Sequence, residues 1–241
     1  MSGTALDSVR ALVFDVFGTV VDWRTSIIRE LETFGREKRI SADWTRIADE
    51  WRGGYHPAMD RVRKGELPWT VLDDLHRMTF ETLLSQHGIA DRISEAEKVH
   101  LVRAWHRLQP WPDAIEGLTR LKRRFIIGTL SNGNVALLLN MAKHAGLPWD
   151  MIFSAELARH YKPDPEAYRS VPALLRIPAS QVMLVAAHNG DLVAAARQGL
   201  RTGFVARSTE YGPHQSRDFR AEHDFDVVAR DFTHLAELMG T

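Results

Sequence analysis

The chain predicts an α/β fold: a doubly wound parallel sheet with a helical insertion after its first strand. Three observations carry this. Residues 111–241 alternate short apolar runs with segments of helical periodicity, the pattern of successive strand–helix units. Residues 24–110 show helical periodicity and no convincing strand. An isolated apolar run, Ala11 to Phe14, precedes that helical stretch and ends on a carboxylate, Asp15. The expected organisation is a core of residues 1–22 and 111–241, with residues 23–110 as a helical unit.

Taken in order, Ala11–Phe14 reads as a buried strand broken by Gly18-Thr19. Ile27, Ile28, Leu31 and Phe34 make one helical stripe; Trp44, Ile47, Ala48 and Trp51 make a second. Gly53-Gly54 and Pro57 interrupt the pattern. A third helix covers roughly Thr70 to Gln86, and a fourth opens at Ser94-Glu95-Ala96-Glu97 with a capping-box pattern. In the second half, helices are predicted over Pro112–Lys122, Asn134–His144, Pro165–Leu175, Leu192–Gln198 and Phe232–Met239. Strands are predicted over Phe125–Leu130, Met151–Ser154, Val182–Ala187, Thr202–Ala206 and Phe225–Val228.

Composition narrows the function. Lys plus Arg and Asp plus Glu both number 31, so no global basic field exists to draw nucleic acid or an anionic membrane. Cysteine is absent, which excludes disulfides, thiolate catalysis and Cys-bound zinc. Residues 1–14 lack a basic segment followed by a long apolar run, so no signal peptide is expected, and no window is apolar enough to span a membrane. A cytoplasmic protein acting on a small molecule is the expectation.

Four polar segments fall at predicted strand ends, where open α/β sheets bind ligands. The first is Asp15, followed by Val16-Phe17-Gly18-Thr19. The second, Thr129-Leu130-Ser131-Asn132-Gly133-Asn134, runs into a helix start, where hydroxyl, amide and backbone N–H groups can converge on an anion or simply cap the helix. The third is His160-Tyr161-Lys162-Pro163-Asp164-Pro165, an extended proline-held loop before a helix that carries Tyr168. The fourth is Ala186-Ala187-His188-Asn189-Gly190-Asp191.

Together these segments resemble the four motifs of the haloacid dehalogenase (HAD) superfamily, over essentially the whole chain. The resemblance implies a Rossmann-like core with a helical cap closing over the active site. It implies that Asp15 is a nucleophile, that Ser131 takes the second motif position, that Lys162 holds the Asp15 carboxylate ionised, and that Asp191 is the last acid. Phosphatases of the superfamily carry an acid where this chain has Phe17 and another near the end of the fourth-motif strand, where it has Ala186-Ala187. Magnesium prefers six oxygen ligands, and Asp15 with Asp191 make a poor cage for it; no cofactor or metal is expected. Phe17 followed by Gly-Thr instead resembles the L-2-haloacid dehalogenase branch, in which an aromatic holds this position. That branch implies Arg52 near the halide and substrate carboxylate, Asn132 beside the leaving halide, Tyr168 in the active site, and Phe17 as an apolar wall. Asn189 is grouped with the substrate- and halide-binding set. His188 departs from the branch and reads either as a structural histidine or as a water-activating base or its positioner. Trp23, Trp51, Trp69 and Trp105 give the cap a rich aromatic core, of which one or two rings are expected at the pocket. The expected reaction converts short 2-haloalkanoic acids and water to 2-hydroxy acids through an Asp15 ester. The alternatives are a phosphatase with an altered site and a non-catalytic HAD-fold binding protein. The resemblance also implies a homodimer.

Overall fold

The computed structural model describes residues 6–241; the first five residues of the stretch read above for a signal peptide lie outside the described residues. The first strands among the described residues are β1 (Ala11–Phe14) and the short β2 (Val21–Asp22). Helices α1 (Trp23–Lys38), α2 (Trp44–Gly53), α3 (Tyr55–Arg63), α4 (Leu72–Gln86) and α5 (Glu95–Val102) follow, and β3 (Gln109–Pro110) returns antiparallel to β2. The remainder alternates: α6 (Ala114–Lys122), β4 (Ile126–Ser131), α7 (Val135–Ala145), β5 (Met151–Ser154), α8 (Ala155–Ala158), α9 (Pro165–Leu175), β6 (Val182–Ala186), α10 (Asn189–Ala196), β7 (Arg201–Val205), β8 (Val227–Ala229) and α11 (Phe232–Leu238).

Six parallel strands form one sheet in the order β5-β4-β1-β6-β7-β8. β1 lies between β4 and β6, so strand order switches sides at β1 and opens a crevice beyond its C-terminal end. Period-two alternation sends Ala11 and Val13 to one face, where they pack with Tyr168 and Val171 of α9 and Leu192 and Ala195 of α10. Leu12 and Phe14 face the other side, with Leu118 of α6, Leu137 of α7 and Phe232 of α11. Burial on both faces explains why β1 reads as a continuous apolar run. The second of these clusters continues unbroken into the helical segment through Trp23, Ile27, Trp51, Phe80 and Trp105.

The helical segment holds one helix more than the sequence predicts. Gly53-Gly54 and Pro57 look like breakers, yet Gly54 adopts a right-handed helical conformation and caps α3. Pro57 falls in the first turn of α3, where a missing N–H costs nothing because those donors have no intrahelical acceptor. The Ser94–Glu97 capping box forms as expected. Residues Arg103–Arg107, read as the end of the fourth helix, form a 3₁₀ turn, and β3 is a strand where none was expected. α10 opens at Asn189, three residues earlier than predicted, which brings Asn189, Gly190 and Asp191 into its first turn.

The two ends of the helical segment are tied at one point. Val21 pairs with Pro110 and Asp22 with Gln109. Trp111 then donates its ring N–H to the Gly18 carbonyl at 2.9 Å. Just beyond, Arg207 grips both oxygens of Asp113 at 2.8 and 2.9 Å and donates to the Thr19 carbonyl at 2.9 Å, while Asp113 also accepts the N–H of Phe232 at 2.8 Å. This buried fork joins the end of β7, the exit of β3 and the start of α11 to the loop after β1. Asp113→Ala would leave Arg207 buried without its carboxylate. Removing one partner of such a pair costs about 3 kcal/mol, and denaturant titration of the variant against wild type measures it.

Candidate active site

Asp15 leaves the sheet immediately after β1, flanked by the ends of β4 and β6, and its N–H donates to Val185 at 3.0 Å. Three groups converge on its carboxylate. Lys162 Nζ donates to Oδ1 at 2.9 Å. Thr19 Oγ1 donates to Oδ2 at 2.8 Å, and His188 Nδ1 lies 3.1 Å from Oδ2. Burial by itself would raise the Asp15 pKa, but the Lys162 ammonium and then His188 outweigh it and hold the group well below the usual carboxylate range. Asp15 is therefore a buried, ionised carboxylate.

Lys162 reaches it from the proline-held loop, preceding a cis Pro163. Asn132 fixes that loop: its carbonyl oxygen accepts the Lys162 N–H at 2.7 Å. The same ammonium donates to Asp191 Oδ2 at 2.5 Å, and Tyr168 donates its hydroxyl to Asp191 Oδ1 at 2.7 Å. Burial disfavours the charged lysine, yet Asp15 and Asp191 more than compensate and raise its pKa. Tyr168 stays neutral, because burial and Asp191 both oppose its ionisation.

A cavity of about 310 Å³ opens above Asp15. Eight of the ten residues singled out in the sequence line it: Asp15, Phe17, Arg52, Asn132, Lys162, Tyr168, His188 and Asp191. Arg52 enters from α2, its guanidinium 4.2 Å from the Tyr55 ring centre and 5.5 Å from that of Trp23. Its Nη1 is buried with no hydrogen-bond partner in the protein. An orphaned guanidinium nitrogen in an aromatic-walled cavity is a receptor for a small anion.

The other two expected residues do not line the cavity. Ser131 is fully buried at the end of β4, where its oxygen accepts the Gly133 N–H at 3.2 Å and braces the turn. Asn189 is consumed by the loop over α10: its amide donates to Asp218 and the Arg220 carbonyl, and its oxygen accepts from Glu222. Both side chains brace turns beside the cavity. The tryptophan expectation is also corrected. Trp23, Trp51 and Trp105 pack into the core and Trp69 stacks on Tyr161, so none of the four lines this cavity. Its aromatic wall is Phe17, Tyr55, Tyr168 and Tyr211.

His188 is held between two carboxylates. Its Nε2 lies 2.9 Å from Glu210 Oε2 while Nδ1 faces Asp15. Burial opposes the charge, but Glu210 and Asp15 hold its pKa well above the ordinary 6.5. The ring is an imidazolium between two carboxylates, with no lone pair to receive a proton, so it is not a base in the free protein. Glu210, Tyr55, His56, Tyr211, Arg217 and Asp218 were not legible as site residues. Arg52 and Tyr55 stand three apart at the junction of two helices, a weak signal; Glu210, in a turn without periodicity, gave none. His56 is pushed down to about 4, chiefly by burial and then by Arg52, and so is neutral.

A raised imidazolium pKa stabilises the fold fully below the unfolded value near 6.5, and that contribution fades as pH rises towards the folded value. The melting-temperature gap between wild type and His188→Gln is therefore expected to be widest at about pH 5–6 and to narrow above about 6.5. A gap independent of pH contradicts the imidazolium assignment.

Residues 9–199 match the model of the haloacid dehalogenase-like hydrolase family. The (S)-2-haloacid dehalogenase 4A of Burkholderia cepacia is 29% identical over 217 residues, covering 84% of this chain and 85% of that protein. The crystal structure of a defluorinating L-2-haloacid dehalogenase superposes with a TM-score of 0.95 at 45% identity, covering 97% of this chain and 96% of that one. A further L-2-haloacid dehalogenase structure gives 0.93 at 48% identity, covering 96% and 98%. With four motifs at the strand ends, a sheet in this order and these likenesses, the chain belongs to the haloacid dehalogenase-like hydrolase family.

Proposed function

We propose that this protein is a 2-haloacid dehalogenase that hydrolyses short 2-haloalkanoic acids, such as haloacetates and L-2-halopropionates, to 2-hydroxy acids. The observation that carries the reading is a buried, ionised carboxylate lining a small cavity that also holds an unpaired guanidinium nitrogen. Displacement of halide from an sp³ carbon needs a bare carboxylate nucleophile, an anchor for the substrate carboxylate and help for the departing anion. Asp15 attacks Cα, halide leaves from the opposite face with inversion, and an ester to Asp15 forms. Water then attacks the Asp15 carbonyl carbon, freeing the hydroxy acid.

Arg52 anchors the substrate carboxylate and the leaving halide, with Asn132 beside it and Phe17 as an apolar wall. Lys162 keeps Asp15 ionised, and Asp191 with Tyr168 keeps Lys162 in place. A phosphoryl transfer would need a proton donor for the leaving oxygen, and Phe17 occupies the position of that acid, which weighs against a phosphatase. In this reading residues 1–22 and 111–241 form the core and 23–110 the cap. The likeness to (S)- and L-2-haloacid dehalogenases supports the enantiomer preference. A cytoplasmic homodimer belongs to the same proposal and rests on the family likeness and the absence of cysteine.

The test is halide release from chloro-, bromo- and fluoroacetate and both 2-chloropropionates, with and without EDTA, against p-nitrophenyl phosphate. Halide and hydroxy acid are expected in equal amounts from the L enantiomer, unaffected by chelation. Arg52→Lys, which keeps the charge but loses the planar fork, is expected to lower kcat/KM roughly 100-fold. Phosphate release without halide release, or wild-type kinetics in the variant, contradicts the reading.

A further inference from the structure

Glu210 takes no part in the scheme above, yet its carboxylate is more deeply buried than that of Asp15. It stands in the turn after β7. Oε1 accepts the Trp23 ring N–H at 3.0 Å, and Oε2 faces His188 Nε2 at 2.9 Å. Its place is kept open by Gly18, at φ +86°, where an added Cβ would lie 2.1 Å from Oε1. The direct ionic partner of this buried carboxylate is His188, and a buried charge is tolerated only when so paired. Glu210, His188 and Asp15 thus form a continuous relay of carboxylate, imidazole and carboxylate.

Esterification alters only one end of the relay. Alkylated Asp15 is neutral and no longer holds the proton on Nδ1, whereas Glu210 still holds the proton on Nε2. The cations Arg52, Lys162 and Arg217 line the same cavity and then oppose the imidazolium with one fewer anion to balance them. We propose that Glu210 makes His188 the general base of the hydrolytic half-reaction, a role that opens only once Asp15 is esterified. This rests on the dehalogenase reading and assigns Glu210 as a positioning residue that fixes the tautomer of His188.

The steps balance. In the first half-reaction Asp15 forms the C–O bond, the C–X bond breaks, halide departs, and His188 releases its Nδ1 proton to solvent. In the second, Nδ1 takes one proton from the attacking water and the oxygen bonds to the Asp15 carbonyl carbon. The tetrahedral adduct then collapses, and the alkoxide leaves with the other water proton as the hydroxy acid. Asp15 is again a carboxylate and His188 again an imidazolium. One proton and one halide are released per turnover. Nδ1 stands 3.1 Å from Asp15 Oδ2, so a water bonded to it is adjacent to the carbon it must attack.

Single turnovers of Glu210→Gln on L-2-chloropropionate, with enzyme in excess, separate the two halves. Chloride release is expected within about tenfold of wild type, while hydroxy acid formation falls by roughly 100-fold or more, with the Asp15 ester persisting in the intact-protein mass. Both phases unchanged, or both slowed alike, overturns the proposal. A second measurement needs no variant. In weakly buffered wild-type turnovers followed with an indicator dye, the proton is expected to appear with chloride and before hydroxy acid. A proton appearing only with the hydroxy acid overturns the proposal even if the variant does not fold. Wild-type enzyme that releases no chloride rejects the dehalogenase reading itself, a different outcome from normal chloride release with normal ester hydrolysis in Glu210→Gln.

Discussion

The Lys162 ammonium, held between Asp15 and Asp191, is the contact on which the rest of the site depends. A carboxylate stripped of water would normally take up a proton. Lys162 prevents this by placing its positive charge directly against the carboxylate. The arrangement needs three separate parts of the chain at one place. β1 delivers Asp15, the proline-held loop delivers Lys162, and the first turn of α10 delivers Asp191. The strand order, with β1 between β4 and β6, is what makes those three segments neighbours.

Charge is supplied to this centre from two further directions. From the helical segment, Arg52 rests on Tyr55 and Trp23 with one nitrogen left unpaired. From the turn after β7, Glu210 holds the imidazolium of His188 against Asp15. An unpaired buried donor costs stability, and here it stands where an anionic substrate would satisfy it. Arg207 and Asp113 tie the loop after β1 to the exit of β3 and the start of α11.

The sheet and the residues around Asp15 were legible because each rests on a short-range signal. β1 is a run of apolar residues ending on a carboxylate, and Lys162 directly precedes the two prolines that hold its loop. Helix α3 is hard to read from the sequence because glycine and proline resemble breakers, although first-turn proline and a right-handed glycine suit a helix start. Ser131 and Asn189 were placed in the site by position in a motif; the structure spends both on bracing turns. The charge state of His188 was invisible for a different reason. It is set by Glu210, 22 residues away in a turn with no periodicity, and only the fold brings the two together.

In the proposed reaction Asp15 forms a covalent ester and does not merely activate water. The two routes yield the same hydroxy acid but send solvent oxygen to different atoms. The most direct measurement is a single turnover in H₂¹⁸O with enzyme in excess, followed by mass analysis of the peptide that contains Asp15 and of the product. Ester hydrolysis is expected to put ¹⁸O in the Asp15 carboxylate and leave the hydroxy acid unlabelled. Label in the hydroxy acid, with the Asp15 peptide light, would contradict it.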